Sequence, residues 1–397
     1  MKSKSRTLTL LLVCLSLIFS FGMAPTSTFA ATAKTTKTPA ADLRATAAKV
    51  FGEHSYLAML VMQKQFNQAK DTQQALDALN ANTNSIASLL TGTYTDQAAA
   101  ELKAQWNTHN QRFSEYAVAM RDKNTTNQQG ALASIKSATS MMVTILKQQN
   151  PYINEQQLLK DLTAHNNSLI RSFDAYAKGQ YGTTYSEVHN AYVRASTVGA
   201  SLATATTKRY PSRFKQSTTQ TDAAYFRQKT GEALGEHAIL SILVMQKGND
   251  NAPDLPNVKA ALNRNTDALT ATHKLIFGTA TAQTFNTLWN RHINDYVMYL
   301  NATLAGDTAK RQAAKTDLGG FVADLTAFQT GRLPSLNKTA TYQANAMHGA
   351  HVITAFDSYH NGDYAKSYEA LRTGYNHMWK TANTLSEAIV KRYPAKF

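Results

Sequence analysis

Apolar positions recur along this chain at helical spacing. Val50, His54, Leu57, Ala58 and Val61 share one face of a 3.6-residue period. Leu102, Trp106, His109, Phe113 and Tyr116 do the same, as do Phe285, Trp289, His292, Tyr296 and Tyr299. Ala, Gln, Leu and Lys, all good helix formers, fill the segments between. No period-2 alternation competes with the pattern. Each of the 8 prolines falls near the N-terminus or at an expected helix end, where a missing N–H is tolerated. The expectation is an all-α protein.

A repeat organises these helices. GEHSYLAMLVMQK at 52–64 returns as GEHAILSILVMQK at 235–247, an offset of 183. The same offset carries Trp106 to Trp289, Pro151 to Pro334, FDAYAKGQY at 173–181 to FDSYHNGDY at 356–364, and RYPSRF at 209–214 to RYPAKF at 392–397. Within each copy, histidines mark a finer period: His54, His109 and His165 are 55 and 56 residues apart, and His237, His292 and His348 repeat those spacings. Polar or glycine-containing breaks such as DKNTTNQ at 122–128 and NGD at 361–363 divide each period. The pattern predicts two tandem homologous helical bundles, each built of three helical hairpins of about 55 residues. With helices of ~25 residues each hairpin would be about 37 Å long. The expected domains are 42–214 and 225–397, joined by the polar linker 215–224 and preceded by a flexible leader at 31–41.

Residues 1–30 have another character. Lys2, Lys4 and Arg6 precede an apolar run from Leu8 to Met23, followed by Pro25 and small residues to Ala31. This is the pattern of a secretory signal peptide, with cleavage expected after Ala30. The run is short for a membrane span, and no transmembrane segment is expected after its removal. Cys14 lies inside the run and is the only Cys of the 397 residues. Export would leave a Cys-free chain, which excludes disulfides and thiolate metal cages. It would also lower the net charge of +15 by three. The remaining basicity suits anionic cell-wall polymers in the cell envelope or outside it. No Lys/Arg run interleaved with aromatics points to a specific nucleic-acid partner.

The histidines carry the candidate chemistry. Six of the 11 occupy one register, in the middle of an apolar stripe. A buried neutral imidazole needs a partner for its N–H and commonly for its bare nitrogen. One reading makes these core residues, satisfied by backbone carbonyls or by polar neighbours such as Asn80 and Asn82, which match Asn263 and Asn265. The other closes three hairpins around an axis, so that His54, His109 and His165, and likewise His237, His292 and His348, form one three-imidazole site per domain. Such a set suits copper or zinc, with haem on an axial His as a lesser alternative. Hairpins stacked in a row would hold the matching rings about 8–10 Å apart, too far for one ion. Glu53 and Glu236, each directly before a His, point about 100° away and are expected at solvent or a helix terminus. Met62 and Met245 are read as core filler. The second half carries extra histidines, His273, His351, His360 and His377. The first carries only His189, which matches Arg372, and these unmatched residues are expected at the surface.

No H-E-x-x-H, G-x-S-x-G, P-loop or dinucleotide fingerprint occurs, and no carboxylate pair repeats between the halves. The sequence therefore favours a non-catalytic metal-binding protein for sequestration or delivery. The competing expectation is a structural or adhesive envelope protein whose histidines serve the core and whose basic faces meet wall polymers.

Overall fold

Twelve α-helices follow one another in the computed structural model, which describes residues 34–397. The expected signal peptide lies outside the described residues. In the first half the helices are α1 (Pro39–Asn67), α2 (Thr72–Leu90), α3 (Asp96–Arg121), α4 (Thr125–Gln149), α5 (Glu155–Ala177) and α6 (Tyr181–Arg209). In the second they are α7 (Asp222–Asn249), α8 (Leu255–Phe277), α9 (Thr279–Leu304), α10 (Thr308–Arg332), α11 (Lys338–His360) and α12 (Tyr364–Arg392). There is no named strand among the described residues, and the all-α expectation holds.

The repeat extends to the helix ends. Thr38 and Thr221, at matching positions, cap α1 and α7 by accepting from the N–H of Ala41 and Ala224. Asn124 and Asp307 cap α4 and α10, and Asn154 and Asn337 cap α5 and α11. After α5 and α11 the chain turns through the left-handed region at Gly179 and Gly362, a conformation glycine adopts without a Cβ penalty.

Each half closes on itself. In the first, α1 packs on α2, α3, α5 and α6, and α3 also meets α5. The first and last helices of the half thus lie together, and the hairpins do not form a row. At one crossing α1 and α6 nearly touch by backbone: a Cβ on Gly199 would stand 2.5 Å from the Ala47 carbonyl oxygen. In the second half α7 packs on α8, α9, α11 and α12. The helices bearing the six matched histidines are α1, α3 and α5, and α7, α9 and α11.

The halves also pack on each other, and residues 35–397 form one compact unit. Helix α1 meets α7 and α12, α2 meets α12, and α6 meets α8. The expected linker is anchored: Thr219 is fully buried, accepts from Arg44 through its carbonyl, and shares a hydroxyl hydrogen bond with Thr204. The described part of the expected flexible leader is ordered too. Helix α1 already begins at Pro39, and Thr36 is buried, donating its N–H and hydroxyl to Glu387 at 2.7 and 2.8 Å.

The contact between the halves is rich in buried polar groups, arranged in matched arms. Tyr185 donates to Asp254, which is salt-bridged to Lys247 at 2.8 Å. Tyr368 donates to Asp71, which is salt-bridged to Lys64 at 2.7 Å. Tyr192 and Tyr375, a matched pair, meet hydroxyl to hydroxyl at 3.5 Å.

Glu53 and Glu236 sit in the same seam, which corrects the expectation of solvent or a helix terminus. Both are buried. Glu53 accepts from Asn82 and from the guanidinium of Arg372 in the other half. Glu236 accepts from Asn265, from the Tyr56 hydroxyl and from His189 of the other half. The physical reason is the enclosure of α1 and α7, which touch helices on all sides, so that no face is left for solvent.

Candidate metal centre

All six matched histidines are buried, each 5% exposed or less. Each is delivered from mid-helix, where the surrounding apolar stripe faces the core. Burial holds all six imidazoles below their ordinary pKa, and in both trios neighbouring rings add to the effect. They are neutral at pH 7, the form that ligates metals.

In the second half the rings converge. His237 Nε2 stands 3.1 Å from His292 Nε2. The His237 ring centre lies 5.2 Å from that of His292 and 5.3 Å from that of His348. One nitrogen from each ring can be chosen so that all three lie within 4.8 Å of one another. Among the described residues, this is the one group of three His, Cys, Asp or Glu side chains whose ligand atoms gather in this way. Two nitrogens at about 2.0–2.1 Å from a shared ion, at the tetrahedral angle, would be about 3.3–3.4 Å apart. The His237–His292 separation of 3.1 Å is within a few tenths of an ångström of that. Both nitrogens of His348 are buried without a partner, as is Nδ1 of His237 and of His292. Ser241, which replaces Ala58 of the first half, places its hydroxyl 3.4 Å from His237 Nε2 while donating to the His237 carbonyl. Trp289, Phe321 and Tyr296 surround the trio, with Phe321 stacked on His292 at 4.4 Å between ring centres.

In the first half the rings also gather, but two are tied. His54 lies 5.7 Å from His109 and 5.5 Å from His165, centre to centre. His109 Nε2 donates to Asn166 Oδ1 at 2.8 Å, and the Asn166 amide donates in turn to Thr139. His165 Nδ1 donates to the Ala191 carbonyl at 3.0 Å. His54 has no partner at either nitrogen.

The repeat shows what differs. Gly349 stands where Asn166 would recur, so His292 loses the side chain that ties His109. Phe321 stands in place of Ala138 and fills the space over the His292 ring. Asn345, one turn before Gly349, bonds instead to Thr326 and Gln329.

The asparagines expected as imidazole partners serve another purpose. Asn82 donates to the Val50 carbonyl and to Glu53, and Asn265 to the Ala233 carbonyl and to Glu236. Met62 and Met245 are fully buried core residues. Of the unmatched histidines, His189 is exposed and His360 is exposed beside Asn249. His273, however, is half-buried, stacked on Phe285 at 3.7 Å and bonded to the Leu269 carbonyl. His351 and His377 are also half-buried and lie together. Sequence reasoning missed Ser241, Phe321 and Gly349. Their signal was the departure from the repeat at positions facing a matched His.

No family model, curated protein or solved structure matches this chain.

Proposed function

We propose that this is an exported metal-binding protein that holds one copper or zinc ion on His237, His292 and His348, for sequestration or delivery outside the cell. The observation that carries the reading is the convergence of three neutral, buried imidazoles with unpartnered nitrogens in the second half. Leaving a buried polar group unsatisfied costs about 1–3 kcal/mol. A bound ion would engage one nitrogen on each ring and offset part of that cost. Three imidazoles without thiolate suit borderline metals and leave a fourth position; Ser241 adds a hydroxyl 3.4 Å from His237 Nε2. Export rests on the signal pattern of residues 1–30. For the first trio, the bonds of His109 and His165 favour the core reading instead.

The test is titration of the purified protein with Zn(II) and, separately, Cu(II). One tight equivalent per chain is expected. His237→Ala or His292→Ala should abolish it, and His54→Ala should leave it in place. Binding of less than one equivalent, or binding indifferent to His237 and His292, would refute the site.

A further inference from the structure

The second half carries two more histidines where the first has none. His351 matches Ser168 and His377 matches Arg194. His351 lies one turn after His348 on α11, so the two side chains are neighbours on one helix face. Its ring centre is 5.5 Å from that of His377 on α12. His377 Nε2 lies 2.8 Å from the Ala344 carbonyl, which can only accept, so Nε2 carries the proton and Nδ1 keeps a free lone pair. His351 Nε2 is buried without a partner, although the residue as a whole is half-exposed. Helix α12 approaches α11 closely at this height: a Cβ on Gly374 would come within 3.2 Å of the His351 Cβ.

We propose that His377 and His351 form a relay for the metal ion, leading from the protein surface to the buried trio. The proposal rests on the trio being a metal site. The outer pair captures a divalent cation at the half-exposed end. The ion then passes inward by ligand exchange: a nitrogen of His348 bonds the metal as a nitrogen of His351 releases it. No electron moves and no co-reactant is needed, and each imidazole enters and leaves the exchange neutral. A site as buried as the trio needs such intermediate ligands, because a stripped cation crossing an apolar shell without partners faces a prohibitive desolvation penalty.

Stopped-flow loading with Zn(II), followed by release to a chelator, tests this on the full chain. The double variant His351→Ser/His377→Arg installs the residues the first half already carries. It should still bind one equivalent, with loading and release both slowed tenfold or more and affinity changed less than threefold. His377→Gln alone, checked for unchanged helicity, should slow both rates in the same direction. Unchanged rates in either folded variant would overturn the relay. So would loss of the tight equivalent in the double variant, which would make the pair part of the final ligand set. If the wild-type protein takes up no Zn(II), the trio itself fails and the relay with it; if it binds and the variants load normally, only the relay fails.

Discussion

The two halves of this protein share helix ends, caps, glycine turns and histidine register, yet they hold those histidines by different hydrogen bonds. The first half closes its trio with hydrogen bonds from His109 to Asn166 and from His165 to Ala191. In the second, Gly349 removes the side-chain tie, neither nitrogen of His348 has a partner, and the Nε2 atoms of His237 and His292 face each other at 3.1 Å. Each trio leaves four buried nitrogens without a partner, so the halves differ in convergence: two first-half rings are tied outward, to Asn166 and Ala191, while three second-half nitrogens gather within 4.8 Å of one another. The lesson is that a repeated His is not in itself a repeated site. What decides its role is whether the residue across the helix interface supplies a hydrogen bond.

The matched Lys–Asp–Tyr arms of the seam are where the comparison should show no difference, and the largest effect is expected there. Lys247 and Lys64 are buried, each salt-bridged to a buried aspartate that also accepts from a tyrosine of the other half. Removing one partner of such a pair leaves an uncompensated charge and costs about 3–5 kcal/mol. Asp254→Ala and Asp71→Ala should therefore both destabilise the whole unit by about that amount, in a single transition. Chemical denaturation followed by circular dichroism checks this. Two separated transitions, one of them unchanged, would show the halves to be energetically independent.

Much of this architecture is legible in the sequence, and the reasons are local. Helical periodicity, Thr38 and Thr221 before their helices, and the 183-residue offset all report on short-range physics. Closure of each half was legible only as an alternative, because it depends on α1 meeting α6 across more than a hundred residues. The burial of Glu53 and Glu236 was misread because an adjacent-residue argument places them off the core stripe. The run from Val50 to Lys64 is buried at every position, and this all-round enclosure overrides the stripe. The difference between the trios was present in the repeat, as Asn166 against Gly349. Its meaning depended on knowing that α5 faces α3, and α11 faces α9, at that height.

A second prediction exchanges those residues. Gly349→Asn should give His292 a partner like the one His109 has, and the space permits it, since a Cβ at Gly349 meets nothing nearer than the Tyr296 hydroxyl at 3.7 Å. Tying a ligand nitrogen in this way should weaken metal binding about 10–100-fold, the range seen when hydrogen bonds to metal ligands are altered. The reciprocal Asn166→Gly frees His109 and, by itself, should not create a tight site, because His165 remains tied to Ala191. Calorimetric titration with Zn(II) reads both variants. A Gly349→Asn protein with undiminished affinity would mean that the Asn–His bond is not what separates the halves.

The smallest expected effect lies in the seam, where the halves differ in one cation. Arg372 holds Glu53, and at the matching place His189 holds Glu236. Arginine stays charged throughout the accessible range. The His189 imidazole is held above its ordinary value of 6.5, chiefly by the charge of Glu236. Its folded pKa therefore exceeds its unfolded one, and its stabilising contribution is complete below pH 6.5 and lost as pH rises through the raised value. Because the ring is half-exposed, the loss should be only about 0.2–1 kcal/mol. The core imidazoles act with the opposite sign. His165 in the first half is pushed down to about 3 and His273 in the second to about 4, both by burial. Each contributes stability above pH 6.5 that declines as pH falls from there toward those values. Wild-type stability should thus fall on the acid side of 6.5 and also sag slightly on the alkaline side. His189→Arg should remove the alkaline sag and leave the acid limb unchanged, as read from urea midpoints between pH 5 and 9. If the alkaline sag persists in that variant, the two cations of the seam are equivalent and the asymmetry of the protein is confined to its histidine cores.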